Sequence, residues 1–220
     1  MSLFARLRAD TGADWHAYVD HAFVRGMADG SLPMPAFRHY LVQDYLFLIQ
    51  FARAYALAAY KSDNLADMRS AAASMNGILN TEMQLHIGYC QGFGLTEADM
   101  QAVDEDPQCM AYTRYVLEAG MAGDILDLHV ALAPCVIGYG EIGQRLAADP
   151  ATVRDGNPYL SWIEMYSGDE YRDVMAGAIA HLDMLGASRL TEARYDRLLT
   201  LFRGATRLEA GFWQMGLDAA

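Results

Sequence analysis

Three side chains conflict with their sequence surroundings: Cys135, Asp44 and Glu209. Cys135 lies in the uncharged run Val130 to Gly140 and stands four residues before Tyr139. On a helix that spacing puts both on one face. A thiol in a shaped, mostly apolar site beside an aromatic hydroxyl can serve as a nucleophile. The competing reading is a buried structural cysteine beside a packing kink, because free cysteines are commonly buried. Pro134 donates no backbone hydrogen bond, so the helix is expected to kink and leave the Val130 carbonyl without its usual partner. Gly138, Gly140 and Gly143 work against helix propensity in the same stretch, and the first two remove bulk on both sides of Tyr139. Conflicts of this kind concentrate where function overrides local preference.

Asp44 interrupts Gln43-Asp44-Tyr45-Leu46-Phe47-Leu48-Ile49, which is apolar almost all round. A carboxylate there must be paired or hydrogen-bonded, and an ion pair with Arg53 is the simplest structural account. Glu209, Phe212 and Trp213 fall at i, i+3 and i+4, so the carboxylate shares a face with two large aromatics. An apolar wall raises a carboxyl's pKa and makes it a usable acid near neutral pH. A thiol with carboxylates suggests covalent attack by sulfur with acid–base help. The aromatics suggest a flat ring held by stacking. Glu82 and His86, four apart, could supply two metal ligands, but di-iron bundles use Glu-x-x-His, three apart, and the chain has none. A contact within the helix is the simpler reading of that pair. No histidine neighbours Cys135 in sequence, which leaves His86 or His181 as a partner from a distant segment. There is no Gly-rich phosphate loop, Gly-x-Ser-x-Gly elbow or zinc spacing.

The elements that carry these residues read as helices throughout. Phe4 to about Gly26 is amphipathic, with a break near Gly12, and a loop follows from Gly30 to Pro35. A long helix spans about Ala36 to Tyr60. Asp63 or Asn64 caps a third that ends near Gly92. Thr96 with Asp99 caps a short one, and Asp106-Pro107 starts another to about Gly120 that carries Tyr112 and Tyr115. Asp124 to Ala148 holds Cys135. Asn157-Pro158-Tyr159 leads into a short helix to Tyr166. Ser167 and Glu170 form a capping box for the next, which ends near Gly186, and Thr191 opens the last. No stretch alternates with period 2, so the expectation is an all-α single domain, residues 1–220, of about eight or nine helices.

The totals narrow the function classes. A chain of 220 residues with 53% apolar and 20% charged residues is globular and can bury roughly 70% of its unfolded surface without staples. The formal net charge of −12 disfavours nucleic acid and anionic membrane as partners. Three cysteines, with no Cys-x-x-Cys pair and no signal peptide, fit a reducing cytoplasm. No run approaches the roughly 18 apolar residues of a spanning helix.

Taken in order, Gln43 to Leu48, Ala133-Pro134-Cys135 with Gly138-Tyr139-Gly140-Glu141-Ile142-Gly143, Asn157-Pro158-Tyr159 with Trp162-Ile163-Glu164-Met165-Tyr166, and Glu209 with Phe212-Trp213 resemble the TenA/Thi-4 proteins (thiaminase II, aminopyrimidine aminohydrolase) over nearly the whole chain. The resemblance implies a haem-oxygenase-like helical fold, a homotetramer, and a thiamin-salvage hydrolase. Its implied reaction converts 4-amino-5-aminomethyl-2-methylpyrimidine to the 5-hydroxymethyl compound with release of ammonia, and it also implies cleavage of thiamin. Cys135 matches the nucleophile, Glu209 the carboxylate that protonates the ring nitrogen, and Asp44 the carboxylate that holds the exocyclic amine. Tyr112, Tyr139 and Tyr166 match pocket hydroxyls, Phe47 a stacking ring, and Phe212 the rest of the wall. No metal or organic cofactor is implied. Two alternatives stand beside this reading: a metal-dependent oxidase on the same scaffold, and a non-catalytic pyrimidine-binding regulator.

Overall fold

Period-3.6 apolar spacing is realised as helix wherever it is long. The computed structural model describes residues 2–220 and contains twelve α-helices, one π-helical turn and, among the described residues, no strand. In chain order these are α1 (Leu3–Asp10), α2 (Gly12–Val19), α3 (Ala22–Asp29), α4 (Met34–Lys61), α5 (Leu65–Gly77), the π turn Ile78–Glu82, α6 (Met83–Gly92), α7 (Glu97–Gln101), α8 (Pro107–Ala122), α9 (Ile125–Ala148), α10 (Leu160–Ser167), α11 (Asp169–Arg189) and α12 (Glu192–Asp218).

The count exceeds eight or nine for physical reasons. The N-terminal stretch breaks twice, at Thr11 and at Asp20-His21, so it forms three short helices rather than one with a single break. The segment from Asn64 to Gly92 is interrupted by the π turn, whose extra residue no periodicity announces. The capping box assigned to Ser167 and Glu170 is absent: Gly168 holds the N-cap, and Ser167 Oγ donates to the Glu164 carbonyl. The boxes at Thr96–Asp99 and Asp124–Asp127 do form.

α9 is the axis of the fold. It packs against α8, α10, α11 and α12, and between Ile125 and Gly140 only His129 and Cys135 keep partial exposure. By length and composition alone α9 is apolar enough to cross a membrane, against the sequence expectation, but 83% of its most apolar stretch is covered by the other helices. The glycines of α9 are where neighbours come closest. A Cβ on Gly138 would lie 2.2 Å from the Tyr18 ring of α2, and one on Gly143 would lie 2.5 Å from the Tyr166 backbone of α10. Helix propensity is given up here for close approach on two sides.

Trp213 of α12 ties the layers together. Its ring meets Phe23 at 4.9 Å, Tyr40 at 5.2 Å and Tyr139 at 5.2 Å. Each such aromatic pair contributes about 0.5–1.5 kcal/mol beyond area burial. One continuous core runs from α1 to α12, consistent with a single domain.

Candidate active site

Three long helices build the floor of the site. Cys135 comes from the middle of α9, Glu209 from α12 and Tyr112 from α8. Tyr112 Oη donates to Glu209 Oε1 at 2.7 Å, and the same carboxyl is near enough to the Cys135 thiol for each to shift the other's pKa. Glu209 is 1% exposed. Burial pushes its carboxyl up to about 8, with Asp44 adding to the rise and the Tyr112 and Cys135 contacts drawing it back. Burial also pushes the Cys135 thiol well above its ordinary range, and the carboxylates of Glu209, Asp44 and Glu82 raise it further. The sulfur therefore rests as a neutral thiol, and its attack requires that its proton be taken up by a neighbouring group, a part the nearby Glu209 carboxyl can play by accepting one proton as it gives up its own.

Asp44 has a different partner from the one expected. Arg53 Nη1 donates to Gln50 Oε1 at 2.8 Å, while Asp44 Oδ2 lies 3.4 Å from His86 Nδ1. His86 Nε2 is 2.9 Å from the Leu41 carbonyl, which only accepts, so Nε2 carries the proton. In the neutral ring Nδ1 is then an acceptor facing a carboxylate oxygen, and that contact closes only with one proton shared across it. Burial moves both groups toward neutrality, lifting Asp44 to about 7 and lowering His86. The expected contact within the helix between Glu82 and His86 is replaced by this one. Among the described residues no three His, Cys, Asp or Glu side chains are arranged to hold a metal ion.

These groups border two connected cavities. An outer chamber of about 480 Å³ narrows to an inner pocket of about 30 Å³, and Asp44, Glu82, Val136, Tyr166 and Tyr171 border both. The chamber is of ligand size. Cys135, Tyr139 and Phe47 line the inner pocket only. Phe47 is stacked between Tyr112 and Phe51, with ring centroids 5.3 Å apart in each case. Tyr139 meets Tyr166 edge-on at 5.0 Å.

Tyr112, Phe212 and Glu209 stand one layer behind the wall rather than on it. Tyr112 reaches the site through Glu209. Phe212 buttresses Phe47 and Tyr40 edge-on, at 5.8 and 6.1 Å. His181 packs against His129 at 4.5 Å, and the charged groups acting on Cys135 include no histidine. Cys90 and Cys109 are fully buried elsewhere; Cys109 Sγ donates to the Gln43 carbonyl at 3.6 Å, and burial raises the Cys90 thiol to about 12.

Sequence reasoning missed three residues that border the cavities. Tyr40 stands one helix turn before Asp44 on the same face of α4, a spacing signal that was available. Tyr171 donates from Oη to the Val136 carbonyl at 3.1 Å, one residue beyond the cysteine. Glu82 ends the π turn; its spacing from His86 suggested a metal pair, and its place between the two cavities could not be read from one strand of sequence.

Comparison with known proteins adds the following. The family described as TENA/THI-4/PQQC matches residues 10–219. An aminopyrimidine aminohydrolase of Halalkalibacterium halodurans is 35% identical, the match covering 99% of this chain and 96% of the relative. A solved structure from a Silicibacter species, described as a TenA family transcription regulator, superposes with a TM-score of 0.92 at 46% identity, covering 98% and 96% of the two chains. A domain of unknown function from Shewanella denitrificans with a heme oxygenase-like fold superposes with a TM-score of 0.76 at 13% identity, over 98% and 92% of the chains, and speaks to the fold alone.

Proposed function

The chain belongs to the TENA/THI-4/PQQC family, and from that premise we propose that it is a hydrolase of thiamin salvage. It converts 4-amino-5-aminomethyl-2-methylpyrimidine to the 5-hydroxymethyl compound with release of ammonia, and cleaves thiamin at the same carbon. The observation that carries this reading is the Cys135 thiol and the Asp44 carboxyl together at the narrow end of an aromatic cavity, with the buried Glu209 carboxyl in the layer behind them.

In this reading Asp44 accepts a hydrogen bond from the exocyclic amine of the ring. Phe47, Tyr139 and Tyr166 hold the ring's faces and edges. As Cys135 Sγ adds to a ring carbon, its proton passes to Glu209, and Glu209 passes a proton to the ring nitrogen. The new C–S bond pushes a ring electron pair toward the 5-methylene, and the C–N bond to the amine breaks. Water adds to the methylene and gives up a proton to the departing amine. The ring nitrogen then returns its proton, and Sγ leaves. Tyr112 keeps Glu209 oriented through the 2.7 Å bond. Every step uses acid–base chemistry available to a carboxyl raised to about 8.

The reading extends to assembly and compartment. Large apolar side chains stand exposed at Tyr60, Leu65 and Met121, away from the cavities, which supports burial in a homotetramer, and sedimentation of the purified protein tests that. Three unpaired thiols support a reducing cytoplasm. The activity itself is tested by measuring ammonia release from the aminopyrimidine beside thiamin cleavage, using purified protein. Turnover of neither compound refutes it.

A further inference from the structure

Among the described residues, Glu82 is the one acidic side chain that borders both cavities without a hydrogen-bond or ion-pair partner. Asp44, the other carboxylate shared by the two, faces His86 at 3.4 Å. Glu82 ends the π turn Ile78–Glu82, between α5 and α6. From Ser74 to Tyr89 the chamber-lining residues of this rod recur at spacings of three and one, so a single face of α5, the π turn and α6 forms one wall. π turns widen a helix locally and recur at functional sites.

The electrostatics of the chamber have one sign. Its ionisable lining consists of Asp44, Glu82, Glu170, His86 and tyrosines, and no lysine or arginine lines it among the described residues. His86 is held neutral by burial. An apolar chamber with several carboxyls and no fixed cation concentrates positive charge and disfavours phosphate esters.

Resting on the function proposed above, we propose that Glu82 is the specificity-determining residue for the leaving group, holding a positively charged substituent of the pyrimidine where inner pocket and outer chamber meet. The ring edge enters the inner pocket toward Cys135, and the substituent on the 5-methylene points back through the junction, past Glu82, into the chamber. Glu82 is accessible to solvent there, as a residue at such a junction must be. Protein atoms crowded around the junction, with Asp44 next in size, push its carboxyl up to about 7, an upward shift that its contact with solvent tempers. An ammonium placed beside it supplies the missing counter-charge and draws the carboxyl back to its ionised form.

The experiment compares two ligands that share the ring. One is the aminomethyl substrate, cationic at neutral pH. The other is 4-amino-2,5-dimethylpyrimidine, which has no charged substituent and is read as a competitive inhibitor. Glu82→Gln lowers kcat/KM for the aminomethyl compound by at least about tenfold, the scale of one lost hydrogen bond to a charged group, while the inhibitor constant of the neutral ring stays within about twofold. Glu82→Asp recovers part of the loss. Glu164→Gln, an exposed carboxylate that lines neither cavity, leaves both values within about twofold. Equal loss for both ligands, or no loss for either, overturns the assignment while wild-type turnover leaves the proposed function standing. Absence of turnover in the wild type overturns both.

Discussion

The floor and the rim of the site are built from different material. The floor hangs on α8, α9 and α12, where Tyr112, Tyr139 and Glu209 are 1%, 5% and 1% exposed. The rim comes from α5, the π turn, α6, α10 and α11, where Leu85, Met165 and Val174 are 64%, 44% and 50% exposed. Groups that exchange protons with a reacting ring must be held to within fractions of an ångström, and packed helices do that. Groups that select among substituents need only supply charge and shape, and a helix face interrupted by a π turn does that. Bond-making is thus assigned to the core of the fold and selection to its margin.

The largest expected effect tests the floor. Cys135→Ser keeps the fold and loses turnover by at least about three orders of magnitude, because a serine hydroxyl is far less acidic and a poorer nucleophile than a thiol. Cys90→Ser and Cys109→Ser, at two other buried thiols, retain most activity. The check is ammonia release, with circular dichroism to confirm folding; comparable rates for Cys135→Ser and wild type end the covalent scheme. Next in size is Glu209→Gln. The amide oxygen still accepts from Tyr112 and its NH₂ still donates, but it hands over no proton, so turnover falls about 10²–10⁴-fold. Affinity for the aminopyrimidine stays within about tenfold, or roughly 1.4 kcal/mol. Near-normal turnover leaves Glu209 as a positioning residue.

The same division decides what was legible in the sequence. Cys135, Asp44 and Glu209 each break an apolar pattern, and a polar group on an apolar face is visible without coordinates. The helical architecture was equally plain, since long period-3.6 segments leave few alternatives. What failed was partner choice and the rim. Asp44 took His86, some forty residues away, over Arg53 on its own helix, because the carboxylate faces inward and Arg53 does not. Glu82 belongs to a chamber wall whose residues are mixed in polarity, so neither hydropathy nor spacing marked it. The exposed face from Ser74 to Tyr89 reads as ordinary surface until the opposite wall is in place.

A moderate effect tests the link between rim and floor. Asp44→Asn preserves size, and its amide N–H can donate to His86 Nδ1, so the fold stands. With the NH₂ on His86, the amide oxygen still accepts from the ring's amino group, but as a neutral acceptor in place of a carboxylate, and losing that charge assistance costs about 1–2 kcal/mol. Titration calorimetry should show weaker pyrimidine binding by that amount with little change in Tm. Strong destabilisation with intact affinity makes Asp44 a structural carboxylate instead.

The smallest effect separates the two regions by pH. Glu209 rises to about 8 in the fold from an ordinary 4.5, Asp44 to about 7 from 3.8, and Glu82 to about 7 from 4.5. A raised carboxyl means that the folded chain binds more protons than the unfolded one. Stability from these groups is fully present below about pH 4 and is lost as pH climbs through 7 and 8. Other groups bound the useful window. The buried histidines, including His129 at about 3, act in the opposite direction only up to about pH 6.5, and unfolded cysteines begin to ionise near about 8.5. Between those limits the raised carboxyls dominate, so Tm of the ligand-free protein should fall by several degrees from about pH 6.5 to 8, at about 2–4 °C per kcal/mol for a chain of this size. Glu209→Gln should remove most of the fall above about pH 7.5, because its carboxyl is 1% exposed and feels burial in full. Glu82→Gln should remove little, because Glu82 is accessible and solvent screens it. Equal flattening by the two variants would mean that floor and rim share one environment, and the division between them would dissolve.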